Sequence, residues 1–163
     1  LQTGYDFGQL GVVALAFNAN RYLKNEFKSS EFADVRDCNG FYGTSCDPVP
    51  TLRTTARATW INGPFETSVL WRRIGAMDLQ ENERDDVFDA FESISAFNYL
   101  DFSAGYQINE NVRIGGIVKN LTGKEPPIIG NETGTTDFNS GNTFPSIYDA
   151  LGRTYAINIK ATF

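Results

Sequence analysis

Arg153-Thr154-Tyr155-Ala156-Ile157-Asn158-Ile159-Lys160-Ala161-Thr162-Phe163 closes the chain. Tyr155, Ile157, Ile159, Ala161 and Phe163 share one parity, and Thr154, Ala156, Asn158, Lys160 and Thr162 share the other. Side chains alternate across a strand, so one face of this segment is apolar and the other is polar and carries a charge. A strand crossing a membrane in a barrel needs about 9–11 residues, apolar toward lipid and polar toward the lumen. This stretch has that length and that alternation. A soluble domain usually frays at its end, where a terminal Phe gains little. Taken alone, the segment fits an amphipathic edge or sandwich strand equally well, and the rest of the chain has to decide.

The same alternation recurs upstream. Residues 1–5 read as the tail of a strand, and Asp6-Phe7-Gly8 as a tight turn. Residues 10–28 read as a long extended segment, with Val13, Leu15, Phe17 and Ala19 opposite Ala14, Ala16, Asn18 and Asn20. It becomes charged beyond Arg21, at Lys24, Glu26 and Lys28. Residues 51–62 set Leu52, Thr54, Ala56, Ala58 and Trp60 against Arg53, Thr55, Arg57 and Thr59. Asn62-Gly63 is a strong hairpin signal, and Phe65, Thr67, Val69 and Trp71 return against Glu66, Ser68, Leu70 and Arg72. Residues 96–107 set Leu100, Phe102, Ala104 and Tyr106 against Tyr99, Asp101, Ser103, Gly105 and Gln107. After a turn at residues 109–111, Val112, Ile114, Gly116 and Val118 oppose Arg113, Gly115, Ile117 and Lys119.

Connections alternate strictly between short ones, at residues 6–8, 62–64 and 109–111, and long ones, at residues 29–50, 75–95 and 121–152. Alternate connections of an up-and-down sheet lie at the same end, so all tight turns gather at one end and all long loops at the other. Outer-membrane barrels have this asymmetry, with short periplasmic turns and long extracellular loops. Trp60, Phe65, Trp71, Tyr106, Tyr155 and Phe163 sit near the ends of the apolar faces, where interfacial girdles belong. The expectation is an all-β, antiparallel up-and-down transmembrane barrel segment of about six strands and a partial one. A short helical turn is expected within residues 87–91.

Composition agrees with that class and removes others. The 163 residues carry a net charge of −6 and no histidine. The acidic balance argues against nucleic acid, which is bound through a basic footprint. Without histidine, the common general base, the Ser-His-Asp and Cys-His systems and the commonest metal ligand are all missing. Mean hydropathy is −0.30, and no run approaches the roughly 18 apolar residues of a membrane helix. Barrel strands leave no such run, because half of each is polar. Cys38 and Cys46 lie close together in a Gly/Asp/Asn-rich stretch. They are a poor zinc set, and a loop-closing disulfide in an oxidising compartment is the better reading.

So few strands do not close a single-chain barrel, which starts at about eight. Either several chains share a barrel, or the chain is the carboxyl-terminal part of a longer polypeptide. The abrupt start at Leu1 favours the second.

Val118-Lys119-Asn120-Leu121-Thr122-Gly123-Lys124-Glu125-Pro126-Pro127 resembles a stretch near the end of TonB-dependent outer-membrane receptors, where a strand ends in Asn-Leu before a loop opening with Lys-Glu-Pro-Pro. Tyr148-Asp149-Ala150-Leu151-Gly152-Arg153-Thr154-Tyr155, with the final strand, resembles the closing segment of that family. The paired cysteines before Leu52-Arg53 and the Trp60 to Gly63 hairpin look similar to the same receptors. The resemblance implies that residues 1–163 are the carboxyl-terminal portion of a barrel of about 22 strands. It implies uptake of a scarce nutrient such as a ferric siderophore, energised through TonB. The partners it implies are outer-membrane lipid, the rest of the receptor including its plug domain, TonB, the barrel-assembly machinery and a small-molecule cargo. Tyr155, Ile157, Ile159 and Phe163 match the assembly signal. The plug and the segment that engages TonB have no counterpart in these residues. The rival classes are a passive or oligomeric pore and a soluble secreted β-sandwich binding module.

Arg53, Arg57, Arg72, Asp101, Arg113 and Lys160 fall on the lumen parity. There they would hold a plug, guide an anionic cargo, or simply be solvated or paired. Phe41, Tyr42, Phe138, Phe144 and Tyr148 are the loop aromatics best suited to an amphipathic cargo, or to packing the loops together. The acidic segment from Asp78 to Glu92 lacks the spacing of a calcium loop. Its carboxylates are sequence neighbours on a loop rather than a pair fixed across a cleft, so no enzyme is expected. No cofactor or metal is implied.

Overall fold

The computed structural model describes residues 1–130, 132–133 and 142–162. Phe138 and Phe163 lie outside the described residues. The strands are β1 Gln2–Asp6, β2 Val12–Arg21, β3 Glu26–Phe27, β4 Arg36–Asp37, β5 Phe41–Tyr42, β6 Leu52–Asn62, β7 Phe65–Ile74, β8 Met77–Leu79, β9 Ser93–Ile94, β10 Phe97–Asn109, β11 Val112–Lys119 and β12 Thr154–Ala161. Seven of them form one antiparallel sheet in the order β1-β2-β6-β7-β10-β11-β12. Each long strand therefore lies beside the next long strand in the chain, as the alternation of short and long connections requires. A single broad sheet replaces the two packed layers of a sandwich, and the sandwich alternative is set aside.

Cross-strand pairing carries the sequence parity across the whole sheet. Leu15, Ala58, Val69, Phe102, Val118 and Tyr155 lie in one row. Val13, Trp60, Thr67, Ala104, Gly116 and Ile157 form the next. Directly paired residues point to the same side, so these rows build one apolar face. Between them runs the row Ala14, Thr59, Ser68, Ser103, Ile117 and Ala156, facing the other way, with its hydroxyls at the centre. The apolar face is uncovered: Tyr155 is 69%, Ile157 81% and Ile159 70% exposed. A patch of this extent needs an apolar phase or a partner against it.

The short connections are built by residues suited to them. Gly63 (φ 55°) and Pro64 form the loop between Asn62 and Phe65, which pair directly. Glycine supplies the positive φ at the first central position, and Pro64 is confined to φ near −65°, which gives the hairpin the handedness of twisted strands. The Asn109 side chain accepts the backbone N–H groups of Asn111 and Val112, both at 2.9 Å, and ties the β10–β11 turn. Asp6 accepts the N–H of Gly8 at 2.8 Å in the first turn.

Two boundaries differ from expectation. The strand read over residues 10–28 begins only at Val12 and stops at Arg21. A 3-10 turn occupies Gly8–Leu10. Beyond Arg21 the charges pair locally, with Lys24 Nζ 2.6 Å from Glu26 Oε1. Asp37 Oδ1 accepts the N–H groups of Asn25 and Asn39 at 3.1 and 2.9 Å, folding β3 and β4 into a small separate hairpin. The long loops also hold structure that no local pattern announces. β5 pairs parallel with β8, and β8 antiparallel with β9. The helical turn expected within 87–91 is present at Asp89–Phe91.

The buried core sits in these loops. Tyr42, Met77, Leu79, Ile94, Ile129, Phe144 and Tyr148 pack with Ile74, Phe97 and Tyr99 from the loop ends of β7 and β10. All three long connections thus contribute to one cap on the polar side of the sheet.

Candidate functional site

The polar face and its cap hold the groups able to meet a ligand. Arg72 on β7 is their hub. Its Nε and Nη2 donate to the two carboxylate oxygens of Asp101 at 2.7 and 2.9 Å. Its Nη1 and Nη2 donate to Asp149 at 3.2 and 2.5 Å. One guanidinium fork therefore bridges a strand carboxylate and a loop carboxylate, the planar geometry that favours Arg over Lys. The Arg72 guanidinium also stacks 4.8 Å from the centre of the Tyr99 ring. The Tyr99 hydroxyl accepts the Asp149 N–H at 3.1 Å.

Asp101 holds a second loop segment by accepting the N–H of Asn120 at 2.8 Å. Asn120 is fully buried with φ 52°, a conformation that Asn tolerates better than most residues. Its side chain donates to the Lys124 carbonyl at 2.8 Å and accepts the Lys124 N–H at 2.9 Å. Sequence reasoning assigned Asn120 no role, although an Asn ending a strand before Gly123 was the available signal.

The remaining polar-parity charges are partly paired. Arg113 donates to Glu66 at 2.7 Å, and Arg57 donates to Ser68 at 2.9 Å, which in turn meets Ser103 at 2.8 Å. Among the described residues, the buried Arg53 Nε has no hydrogen-bond partner. Lys160 is exposed and pairs by backbone with Arg113. Arg57, Arg72, Asp101 and Arg113 thus spend their hydrogen bonds within the sheet and its cap.

The loop aromatics divide. Tyr42, Phe144 and Tyr148 are 0–2% exposed and form the centre of the cap. The Tyr42 and Phe144 rings meet edge-on at 5.7 Å, and Phe97 and Tyr148 at 5.5 Å. Burial pushes the phenols of Tyr42 and Tyr148 well above their ordinary range. Phe41 is half-buried. An open cavity of about 720 Å³ lies in the first long loop, lined by Phe27, Val35 and Arg36 and walled by the Cys38–Cys46 disulfide. Its volume is within the range of small-molecule sites.

No protein-family model and no curated protein matches the sequence. Solved structures do match in shape. Over 99% of its length the chain superposes on 21% of the ferric enterobactin receptor PfeA of Pseudomonas aeruginosa, with a TM-score of 0.59. Two mutants of that receptor match, at 16% and 17% identity. The copper transporter OprC matches over 99% of this chain and 22% of its own, with a TM-score of 0.52 and 14% identity. The chain has the fold of part of a TonB-dependent receptor barrel. It spans about a fifth of the length of these proteins, as the 21% and 22% coverage shows. In that receptor fold the seven strands run as neighbours in a meander, with the tight turns at one end and the capped loops at the other.

Proposed function

We propose that the chain is the carboxyl-terminal portion of an outer-membrane active-transport receptor that takes up a scarce nutrient such as a ferric siderophore, energised through TonB. The observation that carries this reading is the pairing of one uncovered apolar face with one polar face, in a meander whose long loops all join a single cap. In lipid, backbone groups have no water to bond, so strands cross only as part of a closed barrel. The free edges of β1 and β12 would be paired by strands from the rest of the polypeptide, which would also supply the plug and the TonB-contacting segment. The row of Leu15 to Tyr155 would face lipid, and the row of Arg57, Leu70 and Asp101 the lumen. Tyr155, Ile157, Ile159 and Phe163 would be read by the barrel-assembly machinery.

Cargo would meet the loop cap first. The cavity beside the disulfide is reachable as it stands, and Phe41 is half-buried outside its lining. Contact with Tyr42, Phe144 or Tyr148 would require the cap to open, because their rings are its packing.

Two measurements test the reading. The native polypeptide in outer-membrane fractions should have a mass several times 18.1 kDa; a species of 18.1 kDa would overturn the partial-barrel assignment. Deleting its gene should abolish growth on a ferric siderophore as sole iron source, with recovery on re-expression. Unchanged growth across a panel of ferric siderophores would overturn that cargo class.

A further inference from the structure

The apolar face is not even. Thr54, Ala56 and Ala58 give β6 small side chains, while Leu15 and Phe17 on β2 and Val69 and Trp71 on β7 stand tall on either side. The result is a furrow of about 430 Å³ lined by Leu15, Phe17, Ala56, Ala58, Val69 and Trp71. One wall is pinned, because the Trp71 indole N–H donates to Asn98 Oδ1 at 3.1 Å.

At the loop end of the furrow the chemistry changes. Arg73 faces the same side one row beyond Trp71, opposite Thr54 and Asn98. Two residues per row place it about 13 Å along the strand from the level of Ala58. Arg21 ends β2 on the same face, opposite Leu52. Among the described residues neither guanidinium meets a carboxylate, whereas Arg72 and Arg113 on the polar face each do. An unpaired charge beside an apolar surface is costly unless a counter-charge or water reaches it. Two guanidiniums at the head of a hydrocarbon-lined slot have the charge and shape complement of an amphiphile with an anionic head. A fork of N–H donors suits phosphate oxygens in particular.

We propose that this furrow seats an acyl chain of an anionic membrane lipid bearing phosphate monoesters, from the leaflet on the long-loop side, with Arg73 and Arg21 holding its headgroup. The inference rests on the reading of the apolar face as lipid-facing. The small β6 side chains admit the hydrocarbon, and the arginines select the head.

The test uses the full-length protein, purified in detergent, stripped of lipid and titrated with lipid A or with phosphatidylcholine, with bound lipid counted by native mass spectrometry. Lipid A is expected to bind in preference to phosphatidylcholine. Arg73→Gln should weaken lipid A by about tenfold, the loss of roughly one charge-assisted hydrogen bond, while phosphatidylcholine stays unchanged. Ala58→Phe should displace lipid A by filling the slot, and Arg73→Lys should keep part of the preference. Heat-modifiable migration on gels confirms that each variant is folded. Equal binding of both lipids, or no effect of Arg73→Gln in a folded protein, would overturn the proposal. So would a protein dimer, without bound lipid, that dissociates in Ala58→Phe. A protein that stays monodisperse without detergent would overturn the membrane reading itself, a result separate from lipid selectivity.

Discussion

Replacing Arg72 by Ala should release the third long loop from the sheet without unfolding the strands. Arg72 joins Asp101, which is 5% exposed, to Asp149 through four hydrogen bonds. Truncation leaves the Asp101 carboxylate buried with, among the described residues, only the Asn120 N–H as a donor. Removing one partner of a buried pair costs about 3–5 kcal/mol. The side chains of Arg72 and Asp149 are each 24% exposed, so water recovers part of that, and about 3 kcal/mol is a fair expectation. That corresponds to roughly a hundredfold rise in the population of the opened loop.

The assay is native-state hydrogen exchange on the full-length protein in detergent, read at peptides covering residues 118–124 and 142–152. Opening exposes the amide of Tyr148, bonded to Phe144, and that of Asp149, bonded to the Tyr99 hydroxyl. Arg72→Ala should speed exchange at both segments by about a hundredfold. Asp149→Asn keeps Asp101 paired and should speed only the second segment, by about tenfold, as for one charge-assisted bond. Exchange within twofold of wild type in Arg72→Ala would refute the reasoning. The aromatic core of the cap would then hold the loop by itself.

Three further expectations follow from the same geometry. Ile159→Arg should lower the amount of assembled protein in the outer membrane severalfold, because an apolar-face Arg costs up to about 2–4 kcal/mol at mid-bilayer; Lys160→Glu should leave it unchanged, and equal levels would overturn the assignment of faces. Breaking the Cys38–Cys46 bond with a Cys38→Ser/Cys46→Ser double variant should loosen the first loop by up to about 2.5 kcal/mol, the loop-closure value for a sequence separation of 8. Hydrogen exchange confined to residues 25–50 would report it, and a change spread through β6 and β7 would contradict it. The Asp37 carboxyl is held below its ordinary value of 3.8 by the backbone N–H groups of Asn39 and Asn25. A depressed carboxyl stabilises the charged fold above its unfolded pKa, and that contribution disappears as pH falls through the folded value. Acid should therefore free the Asn25 and Asn39 amides only below the ordinary value of 3.8, and Asp37→Asn should abolish the pH dependence of their protection, measured by amide NMR.

The two faces of the sheet were legible because a strand repeats every two residues. Any residue pair such as Ile159 and Lys160 declares its own opposition, and directly paired strands must keep it. The turns were legible for a similar reason, since Gly63 and Asn109 act on backbone within a few residues of themselves, although the β6–β7 loop pair is Gly63-Pro64 and Asn62, read as part of the turn, instead pairs with Phe65. The end of β2 was misread because Lys24, Glu26 and Lys28 continue an alternation that local ion pairing and the Asp37 side chain break.

What tertiary structure alone decided is the cap. Arg72 and Asp149 lie 77 residues apart, and nothing near either one announces the other. By sequence Tyr42, Phe144 and Tyr148 suit either a cargo or the packing of the loops, and their burial against residues from other loops shows the packing. The furrow on the opposite face has the same origin: Ala56 and Ala58 become a slot only when pairing sets Phe17 and Trp71 beside them. Periodicity is a property of one segment and survives in the linear sequence. Burial and charge pairing between distant loops depend on which segments meet, and that is settled only when the meander brings three long connections to the same end.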